Sequence, residues 1–211
     1  MTNRNTSVTI QDDAWLINGA PTYRGREYQG HKIEGLLLNS RMANALFNDT
    51  NKLTQVLWKY PDTDAWDPDR NTSEFISTLP EYRSRGLLAV TINLQGASPF
   101  GYYRLPEFRT LMKSLGIDVP DETMWAGLPE PESQPWHNSA FDAEGELVQP
   151  FMDRLTQILE ETDALGMVVI LGCFYFGQDE RLKDEDAVKA AVTNACDWLL
   201  EHNHRNVVGE I

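Results

Sequence analysis

The sequence predicts an α/β fold built on a parallel β-sheet, and three observations predict it. Four apolar runs recur along the chain, at residues 33–39, 87–94, 167–176 and 206–211. They are nearly continuous rather than alternating, as strands covered on both faces require. A helical pattern fills each gap between them, and a hairpin signal precedes them all.

The hairpin lies in Trp15-Leu-Ile-Asn18-Gly19-Ala-Pro-Thr-Tyr23, where two short extended pieces flank an Asn-Gly turn. The first helix is expected from Asn71 as its cap, with Glu74 at the reciprocal position. Its apolar face is Phe75, Ile76, Leu79 and Tyr82, with Pro80 as a kink and Gly86 as the stop. Pro150 suits the first turn of a second helix, whose stripe of Phe151, Met152, Leu155, Ile158, Leu159, Thr162 and Leu165 closes at Gly166. A third helix begins near Asp184 and ends around Asn203, with Val188, Ala191, Val192, Ala195, Trp198 and Leu199 on its apolar side.

No G-x-G-x-x-G and no G-x-x-x-x-G-K-[ST] follows any run, which removes the usual support for a nucleotide-binding doubly wound sheet and favours a (β/α)8 barrel. Polar and aromatic residues also collect at the C-terminal ends of the runs, where barrels carry their chemistry. These are Asn39-Ser40-Arg41 with the loop bearing Trp58, Tyr60 and Trp66; Asn93-Leu-Gln95 with the long segment at about 96–149; and Phe174-Tyr175-Phe176-Gly177-Gln178. The opposite ends, at Gly86, Gly166 and His204-Arg205-Asn206, are short. The expected architecture is the first four β/α units of a TIM (β/α)8 barrel behind a short N-terminal β-hairpin. Residues 1–25 form the hairpin segment and 26–211 the partial barrel. Ile211 would end an apolar strand with a bare outer edge, so the sequence is expected to be truncated and that edge to be open to self-association.

Composition narrows the partners. With 18 Lys+Arg against 32 Asp+Glu the formal net charge is −14, and no basic cluster offers a hold for nucleic acid or an anionic membrane. No signal-peptide-like apolar stretch and no 18-residue apolar run occurs, so a cytoplasmic chain is expected as written. Cys173 and Cys196 cannot form a disulfide scaffold and read as small core hydrophobes.

Trp15-Leu-Ile-Asn-Gly-Ala-Pro-Thr-Tyr-Arg-Gly25 resembles the N-terminal segment of clan A glycoside hydrolases, in which a W/F-x-I-N-G-x-P hairpin leads into the first barrel strand. Val207-Val208-Gly209-Glu210-Ile211 is similar to the fourth strand of that clan. The resemblance implies a cellulase-like hydrolase of a poorly characterised branch, cleaving β-glycosidic bonds by a retaining mechanism with two carboxyl groups and no cofactor. It places the acid/base Glu just after Ile211 and the nucleophile on the seventh strand. No residue of this chain is therefore expected to be catalytic, and the chain alone is expected to hydrolyse nothing.

What the chain would supply is a surface for carbohydrate: Arg41, Asn93, Gln95, Trp136, His137, Asn138, Tyr175 and Gln178. Aromatic faces suit the C–H side of a pyranose, and amides or a guanidinium suit its hydroxyls. Structural roles compete for each: a carboxylate partner for Arg41, core hydrogen bonding for Asn93 and Gln95, loop packing for Trp136, and simple solvation for His137. Trp58, Trp66 and Trp125 read as loop anchors, Trp15 and Trp198 as core. His202 and His204 suit a helix C-terminus, and with no Cys or Asp to complete a set, no metal is expected. Glu34 and Glu210 stand out as carboxylates in apolar runs, while Asp179 to Asp186 reads as a solvated loop and helix start. The alternative is a non-catalytic carbohydrate-binding protein, or a half-barrel that self-assembles.

Overall fold

The computed structural model describes residues 4–52, 54–96, 110, 112–116 and 136–210. Trp125 and much of the 96–149 segment lie outside these residues. The chain opens with a three-stranded antiparallel sheet: β1 (Val8–Gln11), β2 (Ala14–Ile17) and β3 (Ala20–Pro21). Asn18 and Gly19 join β2 to β3 with φ of 52° and 76°, the two positive values that a type I′ hairpin demands. β1 was not anticipated, because the Asp12-Asp13 turn carries no glycine; Asp12 takes the left-handed conformation itself, at φ 52°. A second small hairpin, β4 (Glu27–Tyr28) and β5 (His31–Lys32), turns on Gln29 and Gly30.

The main sheet has four parallel strands in sequential order: β6 (Asn39–Ala43), β7 (Ala89–Asn93), β8 (Val168–Gly172) and β9 (Val207–Glu210). Three of the apolar runs contain these strands; the first does not. Residues 33–38 are turn and coil, and the strand begins at Asn39. Gly35 explains the shift, with φ at 84° and its carbonyl accepting from Trp15 N at 2.9 Å. A Cβ at Gly35 would stand 2.8 Å from the Ala14 Cβ, so the run is drawn against β2 as a turn, leaving Leu36 and Leu38 exposed.

Among the described residues three long helices lie between the strands: α1 (Pro68–Ser84), α2 (Gln149–Leu165) and α3 (Glu185–Glu201). The first starts three residues before the expected cap. Asp67 accepts from Asp69 N and Arg70 N with Pro68 in the first turn, a stronger start than Asn71, whose side chain instead donates to the Asn44 carbonyl at 2.8 Å. Helical structure continues through Pro80 to Ser84. α2 carries Pro150 in its first turn and ends at Gly166 with φ 69°, and Asp184 caps α3 by accepting from Ala187 N.

One core joins sheet to helices. Val90, Ile92 and Leu94 along β7, and Val169, Leu171 and Cys173 along β8, pack with Leu79 of α1, Leu155 and Ile158 of α2, and Ala191 of α3. Because side chains alternate along a strand, all three helices therefore cover the same face of the sheet. The other face carries Asn39, Thr91, Asn93, Ile170, Gly172, Val208 and Glu210. Cys196, read as a core thiol, is exposed on α3, while Cys173 is buried. Among the described residues no helix is long and apolar enough to cross a membrane.

The N-terminal segment closes the strand N-terminal end. Thr6 and Asn5 bond Asp163 at the end of α2, Val8 N donates to the Arg205 carbonyl at 3.0 Å, and Tyr23 Oη donates to the Gly86 carbonyl at 3.0 Å. The connections that leave the C-terminal ends of the strands are the longer ones.

Candidate functional site

The register brings Asn93, Gly172 and Glu210 side by side on the helix-free face, at the C-terminal ends of β7, β8 and β9. Gly172 leaves the space between the two side chains open. A Cβ there would stand 2.5 Å from Asn93 Oδ1, so the Asn93 carboxamide lies across the missing side chain, on the side of the row that ends in Glu210. Asn93 is half-buried and Glu210 exposed. Three residues beyond Gly172, Tyr175 and Phe176 stack at 4.8 Å between centroids, and Phe176 remains 57% exposed. A part-exposed aromatic pair a few residues past a row of amide and carboxylate side chains supplies the group types that hydrogen-bond and pack against polyhydroxyl ligands.

Around this row the loops are tied together by amides. Gln95 donates from Nε2 to Ser139 Oγ at 3.1 Å and to the Gln178 carbonyl at 3.2 Å, and its Oε1 accepts from Tyr175 N at 3.4 Å. Gln178 Oε1 accepts from Asn138 N at 3.1 Å, while its Nε2 donates to the Trp136 carbonyl at 2.8 Å. Asn138 Oδ1 accepts from Asn48 N at 3.0 Å. Gln95, Trp136, Asn138 and Gln178 are all buried. Their place is therefore behind the surface, where they brace it; Arg41, Asn93, His137 and Tyr175 keep partial or full exposure. Arg41 stands within β6, rather than after a strand, beside a cleft of about 450 Å³ that includes Glu74 and Tyr82.

Asp49 is the hub of this bracing and was missed in the sequence. It is fully buried, yet its carboxylate accepts from Thr54 Oγ1, Trp58 Nε1, Asn51 N and His137 N at 2.5–2.9 Å. Burial nevertheless dominates and pushes its pKa up. Trp58 packs edge-on against Phe47 and Trp136, and Trp66 donates to Asn48 Oδ1 at 3.2 Å, so both serve as loop anchors. The signal for Asp49 was its place in Asn48-Asp49-Thr50-Asn51: the Asn51 N–H bonded to the carboxylate two residues back is an Asx-turn.

Arg181, inside the stretch read as a solvated loop, is the second missed residue. It donates to the Trp136 carbonyl at 3.2 Å, to Gln178 Oε1 at 3.2 Å and to His137 Nε2 at 2.5 Å. Burial lowers its pKa to about 10, still cationic at neutral pH. Burial first, and then the Arg181 charge, pull His137 down to about 4. The ring is neutral at pH 7 with Nε2 accepting, so its proton sits on Nδ1. A cavity of about 720 Å³ opens beside this pair, on the helix side of the rim, with Asp142, Glu180 and Lys183 in its wall. Its size is that of a small-molecule pocket.

A depressed histidine pKa gives a pH dependence of definite sign. Folding favours the neutral ring, so its contribution is complete above about pH 6.5 and is lost as the pH falls toward 4. His204, lowered to about 4 by burial, acts in the same direction. His137→Gln keeps an acceptor for Arg181 and removes the titration. The variant is expected to lose about 1–2 kcal/mol less than the parent between pH 7 and 4, a figure already reduced for solvent screening of a part-exposed ring. Urea denaturation at three pH values measures this; parallel pH profiles would refute the assignment.

Among the described residues no group of three or more His, Cys, Asp or Glu is arranged to hold a metal ion. In comparisons with known proteins the chain matches no family model, no curated protein and no solved structure.

Proposed function

We propose that this chain forms the substrate-binding wall of a (β/α)8-barrel glycoside hydrolase that cleaves β-linked glycans by the retaining, two-carboxylate route. One observation carries the reading: four parallel strands in sequential order with α1, α2 and α3 on one face. A doubly wound sheet reverses its strand order and is covered on both faces, whereas a barrel wall does neither. The surface at the strand C-termini supports it, with Phe176 as a stacking face and Asn93 and Glu210 as hydrogen-bonding groups. On this reading the catalytic carboxylates belong to positions after β9, about 5 Å apart in the assembled site, and this chain orients the sugar.

The proposal is tested by calorimetric titration of the chain with soluble β-linked oligosaccharides. Phe176→Ala is expected to weaken binding about three- to tenfold, the worth of one stacking face. Gly172→Ala, which pushes the Asn93 carboxamide aside, is expected to weaken it without changing thermal stability appreciably. Binding that survives both substitutions unchanged, or no binding by the folded parent, would rule the reading out.

A further inference from the structure

At the opposite end of the sheet, a cleft of about 470 Å³ lies between the hairpin segment, the end of α1 and Gly166. Arg24, Arg26, Arg83 and Arg85 stand in its wall, and no Asp or Glu does among the described residues that line it. In a chain with 18 basic and 32 acidic residues, four guanidinium groups around one acid-free cavity is a local reversal of charge.

Helix ends account for half of it. Arg83 and Arg85 close α1, where cations offset the negative end of the helix dipole. Arg83 Nε also donates to the Leu165 carbonyl at 2.9 Å, and Arg85 pairs with Glu81 at 2.6 Å. Arg24 and Arg26 have no such explanation. They come from the hairpin segment, are exposed, and donate from their side chains to no described group. Glu34, the acid on the same segment, bonds Gly25 N at 2.6 Å and Lys32 at 3.2 Å and also feels the Arg24 charge, yet it lies outside the lining of the cleft. Two glycines shape the cleft: Arg26 NH1 lies 3.9 Å from where a Gly86 Cβ would stand, and Arg83 NH2 4.0 Å from that of Gly166. Both glycines are left-handed, at φ 92° and 69°, so the guanidinium groups lie over bare backbone. Tyr23 Oη already occupies the Gly86 carbonyl, which removes one acceptor that would repel an anion.

We propose that this cleft is an anion site for a ligand carrying a phosphate or diphosphate group, held by Arg24 and Arg26 with Arg83 and Arg85 supplying the surrounding positive field. Planar guanidinium forks match phosphate oxygens in pairs, and the site stands apart from the sugar-binding surface at the other end of the strands.

Inorganic pyrophosphate is the probe, titrated calorimetrically at fixed ionic strength. The parent is expected to bind it, and R24Q/R26Q to weaken binding at least about tenfold, since each lost charge-assisted bond is worth more than one neutral hydrogen bond. Affinity should also fall with added chloride. K52Q/K189Q, which removes two cations elsewhere on the surface, is expected to bind as the parent does. Circular dichroism confirms folding, which exposed residues without side-chain partners should not disturb. Equal affinity in R24Q/R26Q and the parent, equal losses in both double variants, or no heat up to about 10 mM pyrophosphate would each overturn the proposal.

Discussion

Asp49→Ala is expected to lower stability by about 4 kcal/mol, more than any other single polar truncation in the loops around the sheet. The carboxylate accepts four hydrogen bonds at zero exposure, and its removal strands the donors Thr54 Oγ1, Trp58 Nε1, Asn51 N and His137 N in a dry site. Against this stands a gain, because burial of the charge itself is unfavourable, as its raised pKa shows. The donors outweigh it: unsatisfied buried groups cost about 1–3 kcal/mol each. At about 2–4 °C per kcal/mol for a chain of this size, the melting temperature should fall by about 8–16 °C. Asp49→Asn should fall between parent and alanine variant, since one amide oxygen can serve only part of the donor set and its NH2 faces donors. A melting temperature within about 2 °C of the parent for Asp49→Ala would show that the hub is not structural.

Gly145→Ala should cost about 3 kcal/mol for a different reason. The turn from Asp142 to Glu146 presses against α3, with the Asn194 side chain donating to the Gly145 carbonyl at 3.0 Å. Gly145 has φ 85°, and a Cβ there would collide with the Ala187 carbonyl oxygen and stand 2.8 Å from Ala191 N. Neither is a side chain that could swing away; both are helix backbone. The added methyl must therefore push the turn off α3, which also disturbs Phe141 and Leu147 in the bridge that closes it. Thermal denaturation followed by circular dichroism should show a loss of about 6–12 °C, and a neutral result would contradict the packing of this turn.

Much of this fold was legible in the sequence because local signals agreed with the tertiary structure. Pro150 with Gly166, and Asp184 at the start of α3, mark helix ends by the same physics that forms them. Continuous apolar runs identified β7, β8 and β9, which are covered on one face by helices. The run at 33–39 misled because hydrophobicity alone does not tell a strand from a segment bent by a left-handed glycine, and Gly35 was read as part of a strand. Asp67-Pro68 outcompetes Asn71 as the helix start, because a carboxylate that accepts two backbone N–H groups and a proline in the first turn act four residues earlier than the capping box at Asn71 and Glu74.

The rim was legible as a location and less so as chemistry. Gln95, Trp136, Asn138 and Gln178 were singled out by type and position, and the structure brings them together, but as a buried network. Amide side chains recognise a backbone carbonyl and a sugar hydroxyl by the same hydrogen bonds, so composition cannot separate bracing from binding. Asp49 and Arg181 escaped notice because acidic and basic residues in loops are usually solvated, and only their burial reveals otherwise. The contact of Asn93 with the space above Gly172 depends on strand register, which no local pattern encodes.

The most direct test of the sugar-binding proposal is an amide-resolved NMR titration of the isotopically labelled chain with a soluble β-linked oligosaccharide. Shift changes are expected to concentrate at Asn93, Gly172 and Glu210 on the helix-free face and at Tyr175 and Phe176 just beyond β8, and to spare the cleft around Arg24 and Arg26. Changes confined to the strand N-terminal end, or no changes at saturating sugar in a folded chain, would contradict it.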